Sequence, residues 1–239
     1  LRASTTLLLA RLAALDAALA ELRRAHGGAP LMGRTRMQAA SPITVGDRID
    51  AWRAPLAAHA ARLVALRPQV ERLQLGGPVG TGGGFGEDAA AVAALMAEAL
   101  GLAAPARAWH SDRGGVVDYA NLLALVSGSL GKIGQDLALM AQQGLDEAAL
   151  RGGGASSAMP HKANPVRAEL LVTLARFNAT QVAGMHQAMI HEQERSGAAW
   201  MLEWMILPQM AVATARALSA AAALLAEVER LGGGPEARP

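Results

Sequence analysis

The sequence contains no cysteine and few aromatic residues, and both shortages limit what the chain can be. Without cysteine there can be no disulfide and no metal site built on thiolates. Aromatic residues make up 3% of the chain, β-branched residues are sparse, and alanine and leucine dominate. Because alanine and leucine favour helices whereas aromatic and β-branched residues favour strands, the composition predicts a mainly helical protein.

The chain also lacks a large excess of charge of either sign. The formal net charge is +2 over 239 residues, and acidic and basic residues are interspersed. A nucleic-acid-binding protein usually carries a concentrated basic stripe, so we predict no nucleic-acid partner. The sequence shows no signal-peptide pattern, and no uninterrupted apolar run reaches the length of about 18 residues that spans a membrane. We therefore predict a cytoplasmic protein with no membrane partner.

Apolar residues recur at helical spacing along most of the chain. In the first segment leucines follow one another at steps of three and four residues, which predicts an amphipathic helix. Similar patterns separated by glycine and proline predict five or six helices, over residues 1–26, 42–75, 87–102, 116–143, 166–190 and 198–231. Ser41-Pro42 is expected to begin the second helix, and Pro208 to kink or interrupt the last one.

These helices are expected to form one bundle domain over residues 1–231, followed by a flexible tail over residues 232–239. The first helix opens without a cap, so we expect the chain to begin inside a larger protein and to lack its N-terminal domain. Leucine, alanine and methionine lie on nearly every side of several helices. A helix that is apolar on most sides must be buried on most sides, so we expect oligomerisation through a shared helical core.

The stretch from Gly152 to Pro165 is the best candidate for chemistry, with the sequence GGGASSAMPHKANP. Its glycines let the backbone approach a ligand closely, and two hydroxyls, an imidazole and an ammonium follow. Asn164-Pro165 has the pattern of an N-cap and a first helical residue, and the positive end of that helix would favour an anion. On the residues alone, an ordinary glycine-rich connector explains the stretch equally well.

This stretch resembles the signature loop of the fumarase/aspartase superfamily, G-S-S-x-M-P-x-K-x-N-P. Every position matches except the leading glycine, where this chain has Ala155. Met32–Pro42 lies where the superfamily has its second conserved turn, and Gly76–Thr81 lies at its G-x-x-V-G-T turn. The resemblance therefore extends over nearly the whole chain.

Within the superfamily, the segment from His191 to Trp204 most resembles the branch of 3-carboxy-cis,cis-muconate cycloisomerases, whose pattern there is H-E-R-S-x-x-x-W-x-x-E-W. The residues around Gly33–Gln38 and Trp109-His110 agree with this branch. Adenylosuccinate lyase shares the M-P-H-K form of the loop but differs at the segment after His191. It is the alternative within enzymes, together with related elimination enzymes, and a catalytically silent helical scaffold is the alternative outside them.

The resemblance implies an all-α fold of long helices whose core is shared in a homotetramer, with each active site assembled from three subunits. It implies an isomerase that lactonises 3-carboxy-cis,cis-muconate, a small tricarboxylate, in the protocatechuate (β-ketoadipate) route of aromatic degradation. It also implies that neither a metal nor an organic cofactor is needed.

The resemblance assigns roles to particular residues. Ser156 matches the catalytic serine that handles the α proton, and Lys162 would supply the cation that supports it. The implied substrate-binding residues are Thr35, Gln38, Thr81, Ser157, Asn164, His191, Arg195 and Ser196. Alternatives stay open: Asn164 could only cap a helix, and Arg195 could pair with a neighbouring glutamate. His110 could be either a site residue or a polar turn residue.

One departure from the family concerns the proton donor. Cycloisomerases of this branch can carry a histidine just after the glutamine of the second turn, and lyases carry one just after its threonine. Here those positions are Ala39 and Arg36. The sequence therefore leaves open which group delivers the proton.

Overall fold

The computed structural model of the protein describes residues 1–155, 159 and 163–233. Long α-helices dominate this part, which confirms the predicted mainly helical class. The helices are α1 (Arg2–His26), α2 (Val45–Val70), α3 (Ala89–Leu100), α4 (Gly114–Met140), α5 (Val166–Gln187) and α6 (Gly197–Ala226). Short antiparallel pairs join β1 (Pro30–Thr35) to β2 (Gln38–Thr44), β3 (Ala148–Leu150) to β6 (Val228–Leu231), and β4 (Gly154–Ala155) to β5 (Ala163–Asn164).

The long helices pack into an antiparallel bundle around α4. Helices α5 and α6 lie along α4 and along each other, while α1 and α2 cover another side. The predicted leucine stripe of α1 is confirmed for Leu8, Leu12, Leu15, Leu19 and Leu22, which are buried in the common core, but not for Leu7, which is exposed. The sequence spacing places these leucines on one buried face of the helix, and in the structure that face packs against α2 and α6.

Glycines bring α4 and α5 unusually close together. A Cβ atom on Gly134 would lie 2.5 Å from the carbonyl oxygen of Ala168, and one on Gly131 would lie 2.7 Å from the Cβ of Ala175. Only a residue without a side chain fits at these points. The two helices are therefore held in one register over several turns.

The segment predicted as a polar turn followed by a helix start is instead a hairpin. Ser41 and Pro42 lie in β2 rather than at a helix N-terminus, so that prediction is wrong. Helix α2 begins after Thr44, whose hydroxyl and backbone exchange hydrogen bonds with Asp47 in a complete capping box. A two-stranded sheet consists only of edge strands, which tolerate proline, whereas a capping box satisfies two free N–H groups of a new helix.

The predicted start of α5 at Val166 is confirmed, but the predicted cap is wrong, since Asn164 pairs with Gly154 in the β4–β5 ladder and α5 has no side-chain cap. Helix α6 runs uninterrupted through Pro208 but stops at Ala226, where the chain turns into β6 and pairs with β3. The strand provides a partner for β3 that the helical pattern of the sequence did not reveal.

The bundle has two ends of different construction. At one, which we call the sheet end, the three strand pairs meet the C-terminus of α4, as shown by the bond from Glu147 N to Met140 O at 2.8 Å. The opposite end, the connection end, contains the N-terminus of α4 and residues 188–196 between α5 and α6. Since α4 has 27 residues, the two ends lie about 40 Å apart.

Helices α1 and α6 are each long and apolar enough to cross a membrane, judged by length and composition. Core helices of soluble proteins meet the same criterion, and α6 buries half of its most apolar window inside the bundle. The two helices therefore give only weak support to a membrane location.

Candidate active site

The two ends of the signature loop are fixed side by side. Strand β4 pairs with β5, and the Nδ2 of Asn164 donates to the carbonyl oxygen of Gly154 at 3.2 Å. The predicted site residues Ser156, Ser157 and Lys162 lie outside the described residues. The structure therefore shows the base of this loop, and Asn164 holds that base closed rather than capping α5.

Thr35 and Gln38 flank the tip of the β1–β2 hairpin at the same end of the bundle. The two residues between them, Arg36 and Met37, have φ angles of 50° and 65°. Left-handed conformations at both central positions define the tight hairpin turn that usually contains asparagine and glycine. Non-glycine residues in this conformation are uncommon and tend to occur at functional sites. Arg36, at the position where lyases carry histidine, is exposed on this tip.

Arg195 is the centre of a second group of predicted residues at the connection end. Its Nη2 donates to the carbonyl oxygen of Gly77 at 3.1 Å and lies 2.8 Å from the Nε2 of His110. Its guanidinium lies 4.9 Å from the ring centre of Trp200. Within the described residues Arg195 forms no ion pair with a glutamate, so the alternative of a surface ion pair is not observed.

Trp200 also stacks on Trp204, with ring centroids 5.3 Å apart. The exposed indole of Trp204 thus extends the flat surface on which the guanidinium of Arg195 rests. A guanidinium held on an aromatic face keeps its outer edge free for a planar carboxylate.

His110, which the sequence left open, belongs to the Arg195 group. Burial, followed by the charges of Arg195 and Arg113, lowers the pKa of His110 below its ordinary value. The imidazole is therefore neutral at pH 7. Since arginine can only donate, the ring nitrogen that faces Arg195 must be the unprotonated one.

His191 and Ser196 complete this group on the segment before α6. Ser196 is buried, and its hydroxyl accepts from Ala199 N at 3.2 Å as the N-cap of α6. Its hydroxyl also bonds to Glu192, and this bond is the largest cause that lowers the pKa of that carboxyl. The Nδ1 of His191 accepts from Ser196 N at 3.4 Å. The predicted substrate contacts of both residues stay predictions.

The second glycine loop packs directly against His110. Gly80 has a φ of +80°, and a Cβ there would lie 3.2 Å from Ala108 and 3.5 Å from the Nδ1 of His110. Gly77 in the same loop supplies the carbonyl for Arg195. Thr81 is exposed beside this contact at the connection end, and it forms no hydrogen bond to the predicted site residues that the structure describes.

Sequence reasoning missed the ion pair beneath this group. Arg113 binds Glu203 through two hydrogen bonds of 2.9 and 2.6 Å, and both side chains are at most 9% exposed. The guanidinium of Arg113 also lies 4.7 Å from the ring centre of Trp109, next to His110. The E-W dipeptide of the branch pattern contained Glu203, but nothing in the sequence indicated its partner across 90 residues.

The predicted site residues therefore lie at two opposite ends of the helical bundle. Thr35, Gln38 and Asn164 lie at the sheet end, together with the base of the signature loop, whereas His191 and Arg195 lie at the connection end. A distance of about 40 Å separates the two groups. A small substrate cannot contact both groups within one copy of this chain.

No group of three or more His, Asp or Glu side chains that could hold a metal ion occurs in the described ranges 1–155 and 163–233. The expectation that no metal or cofactor is needed stays a prediction.

The helical bundle, the hairpin and the paired loop base together define a lyase fold. A family model described as Lyase matches residues 1–184. The chain belongs to this lyase family.

Individual proteins show which members of this family the chain resembles. The chain is 41% identical to a 3-carboxy-cis,cis-muconate cycloisomerase of Pseudomonas aeruginosa over 96% of its length and 50% of the relative. It is 37% identical to a nitrosuccinate lyase of Streptomyces davaonensis, over 79% of this chain and 42% of that protein. The crystal structure of the 3-carboxy-cis,cis-muconate lactonizing enzyme of Pseudomonas putida superposes with a TM-score of 0.90 at 36% identity, covering 96% of this chain and 51% of that one. The chain spans about half the length of the curated relatives that it matches.

Proposed function

We propose that the protein carrying this chain is a cycloisomerase that converts 3-carboxy-cis,cis-muconate into a carboxymuconolactone in the protocatechuate branch of aromatic degradation. The observation that carries this proposal is the 41% identity to a cycloisomerase of that name over nearly the whole chain. The signature loop from Ser156 to Pro165 supports it, because the loop keeps the serine, lysine and asparagine of the superfamily pattern.

The reaction needs a group that stabilises negative charge and a group that delivers a proton. One substrate carboxylate adds to a double bond, a C–O bond forms, and the electron pair moves toward the neighbouring carboxylate. The α carbon then takes up one proton, so the lactone carries one negative charge fewer than the substrate. Ser156 is proposed to handle this proton and Lys162 to stabilise the charge-rich intermediate.

The carboxylates that do not react must be held in place. Arg195 is suited to this role, since its guanidinium is oriented by Gly77 O and by the ring of Trp200. A guanidinium binds a carboxylate through two parallel hydrogen bonds, which fixes orientation as well as charge. The neutral His110 beside it adds no second positive charge.

We further propose that the protein is a cytoplasmic homotetramer whose active sites are shared between subunits. Apolar side chains of α6 support this, since Met201, Met205 and Val212 are each more than 60% exposed. A groove of about 480 Å³ between α5 and α6 is lined by apolar groups such as Phe177 and Pro208. Monomeric proteins rarely expose contiguous apolar surface of this kind. Assembly of copies would also bring the two separated groups of predicted residues together.

The test is the loss of 3-carboxy-cis,cis-muconate, followed in the ultraviolet, with the intact protein and with the 239-residue chain. Ser156→Ala and Lys162→Ala are expected to lower kcat by roughly 10²–10⁴-fold, the usual contribution of a positioned acid or base. Thr180→Ala, which removes an exposed hydroxyl on α5, is the matched control and should leave the rate unchanged. An intact protein that consumes none of this substrate would overturn the proposal.

An elimination enzyme of the same family is the second candidate. The 37% identity to a nitrosuccinate lyase favours it, since that relative is nearly as similar as the cycloisomerases. Activity on nitrosuccinate or adenylosuccinate, without activity on the muconate, would establish this reading instead.

A further inference from the structure

A cavity at the sheet end has an excess of positive charge. It encloses about 660 Å³ between the β1–β2 hairpin, the first turn of α2 and the last turns of α4. Sites for small molecules usually fall between about 300 and 1,000 Å³. Three cations, Arg34, Arg48 and Lys132, line it, but only two carboxylates, Asp136 and Glu147.

Both carboxylates are already occupied. Glu147, which is 3% exposed, pairs with Arg34 at 2.6 Å. Asp136 pairs with Lys132 and also accepts from the indole Nε1 of Trp52 at 2.8 Å. Each carboxylate is therefore already neutralised by one cation.

Arg48 is the third cation of the cavity. The structure records no hydrogen bond or ion pair for its half-buried guanidinium within the described part of the chain. The neighbouring acids on α2 are occupied elsewhere, since Asp47 closes the capping box with Thr44 and Asp50 binds Arg23 at 2.8 Å. A half-buried guanidinium that faces a cavity without a counter-charge favours an anionic ligand.

The rim of the cavity supplies neutral donors. The side-chain amides of Gln38 and Gln142 line it, and neither amide has a recorded hydrogen bond among the described residues. Met37, in the left-handed turn of the hairpin, also lines the cavity. Apolar side chains, including Leu139 and Leu145, form the remaining wall. A guanidinium that pairs with no acid among the described residues, two side-chain amides and an apolar wall fit a short carbon chain that carries carboxylates.

We propose that this cavity binds a small polycarboxylate, with Arg48 as its charged ligand and Gln38 and Gln142 as hydrogen-bonding groups. The choice of a tricarboxylate as probe rests on the proposed function. The ligand could be the substrate itself or a separate carboxylate that regulates the enzyme, and both have the same chemistry of recognition.

The binding test is isothermal titration calorimetry of the intact protein with tricarballylate, a saturated and unreactive tricarboxylate. Arg48→Gln is expected to weaken binding by about 10–100-fold, the usual effect of losing a charge-assisted bond. Arg62→Gln, an exposed arginine on the same helix, should bind like the wild type. Because Arg48 forms no hydrogen bond or ion pair within the described part of the chain, its variant is expected to keep the circular dichroism spectrum and unfolding midpoint of the wild type.

Either of two results would overturn the inference. One is the absence of tricarballylate binding to the wild type, and the other is equal binding by Arg48→Gln and the wild type. Calorimetry does not depend on turnover. Binding through Arg48 by a protein that does not consume the muconate would therefore refute the proposed function and leave this site standing.

Turnover assays with added tricarballylate identify the source of the ligand. Competitive inhibition together with a KM raised at least ten-fold in Arg48→Gln assigns the cavity to the substrate. Non-competitive modulation that disappears in Arg48→Gln, with KM unchanged, assigns it to a separate effector. Either pattern supports the site.

Discussion

The ion pair between Arg113 and Glu203 should be among the most sensitive points of the fold. It joins Arg113, the residue just before α4, to α6 beneath the Arg195 group, and its two side chains are 9% and 6% exposed. Such burial excludes the weak behaviour of surface ion pairs, which contribute about 0–1 kcal/mol. Removing one partner of a buried pair leaves an uncompensated charge and costs about 3–5 kcal/mol.

Glu203→Gln is the most conservative perturbation, because glutamine keeps the shape of glutamate but removes the charge and one of the two acceptor oxygens. Its amide oxygen can still accept one hydrogen bond from Arg113, so we expect a loss near the lower limit, about 3 kcal/mol. For a chain of this length, each kcal/mol shifts the unfolding midpoint by about 2–4 °C, so a decrease of roughly 6–12 °C is expected.

The assay is thermal and urea unfolding at one fixed protein concentration, since assembly would make the midpoint depend on concentration. Glu229→Gln is the control, because Glu229 lies 3.6 Å from Arg151 in a pair that is more than half exposed, and no measurable change is expected. The double variant Arg113→Met with Glu203→Leu should recover much of the loss, since neither charge remains buried. A midpoint for Glu203→Gln within 2 °C of the wild type would refute this reasoning.

Two more predictions concern stability. Gly134→Ala places a Cβ atom 2.5 Å from the carbonyl of Ala168 and should cost about 1–3 kcal/mol in urea unfolding, whereas Gly128→Ala on the same helix meets nothing within 4 Å and should be neutral or stabilising. Because the pKa of His110 is lowered in the folded state, the unfolded chain binds its proton first. Stability should therefore be complete above about pH 6.5 and decline below it, with a shallower decline in His110→Gln.

Each of these predictions can fail clearly. Equal urea midpoints for Gly134→Ala and the wild type would show that α4 and α5 can separate without cost. An identical pH dependence in His110→Gln and the wild type would show that the imidazole does not gain a proton on unfolding in this range. His59, whose pKa is also lowered, chiefly by burial, is expected to contribute to the same slope.

The local pattern of the sequence was enough to predict the long helices. Leucine spacing in α1 and the apolar stretch of α4 specify which faces are buried, because a helix repeats every 3.6 residues whatever surrounds it. The residues of the signature loop alone left an ordinary connector equally possible, and only the resemblance of its serine, lysine and asparagine spacing to the superfamily pattern predicted chemistry there. The site residues at Ser156, Ser157 and Lys162 stay predictions.

The short strands were missed because a strand needs a partner, and that partner is distant in the sequence. β6 forms because it pairs with β3, which lies about 80 residues earlier in the chain. Asn164 likewise pairs with Gly154 in a two-stranded ladder instead of capping a helix. Proline and serine in β2 favour a helix start by propensity, but the capping box at Thr44 satisfies the new helix better.

The sequence by itself thus determined the helices, their buried faces and the family to which the chain belongs. Only the tertiary structure decided that His110 joins Arg195, that Arg113 neutralises Glu203, and that Arg48 has no counter-charge among the described residues. The physical reason is range: helical periodicity and loop chemistry act over a few residues. Pairing of charges depends on which helices pack together, and no single segment of the chain contains that information.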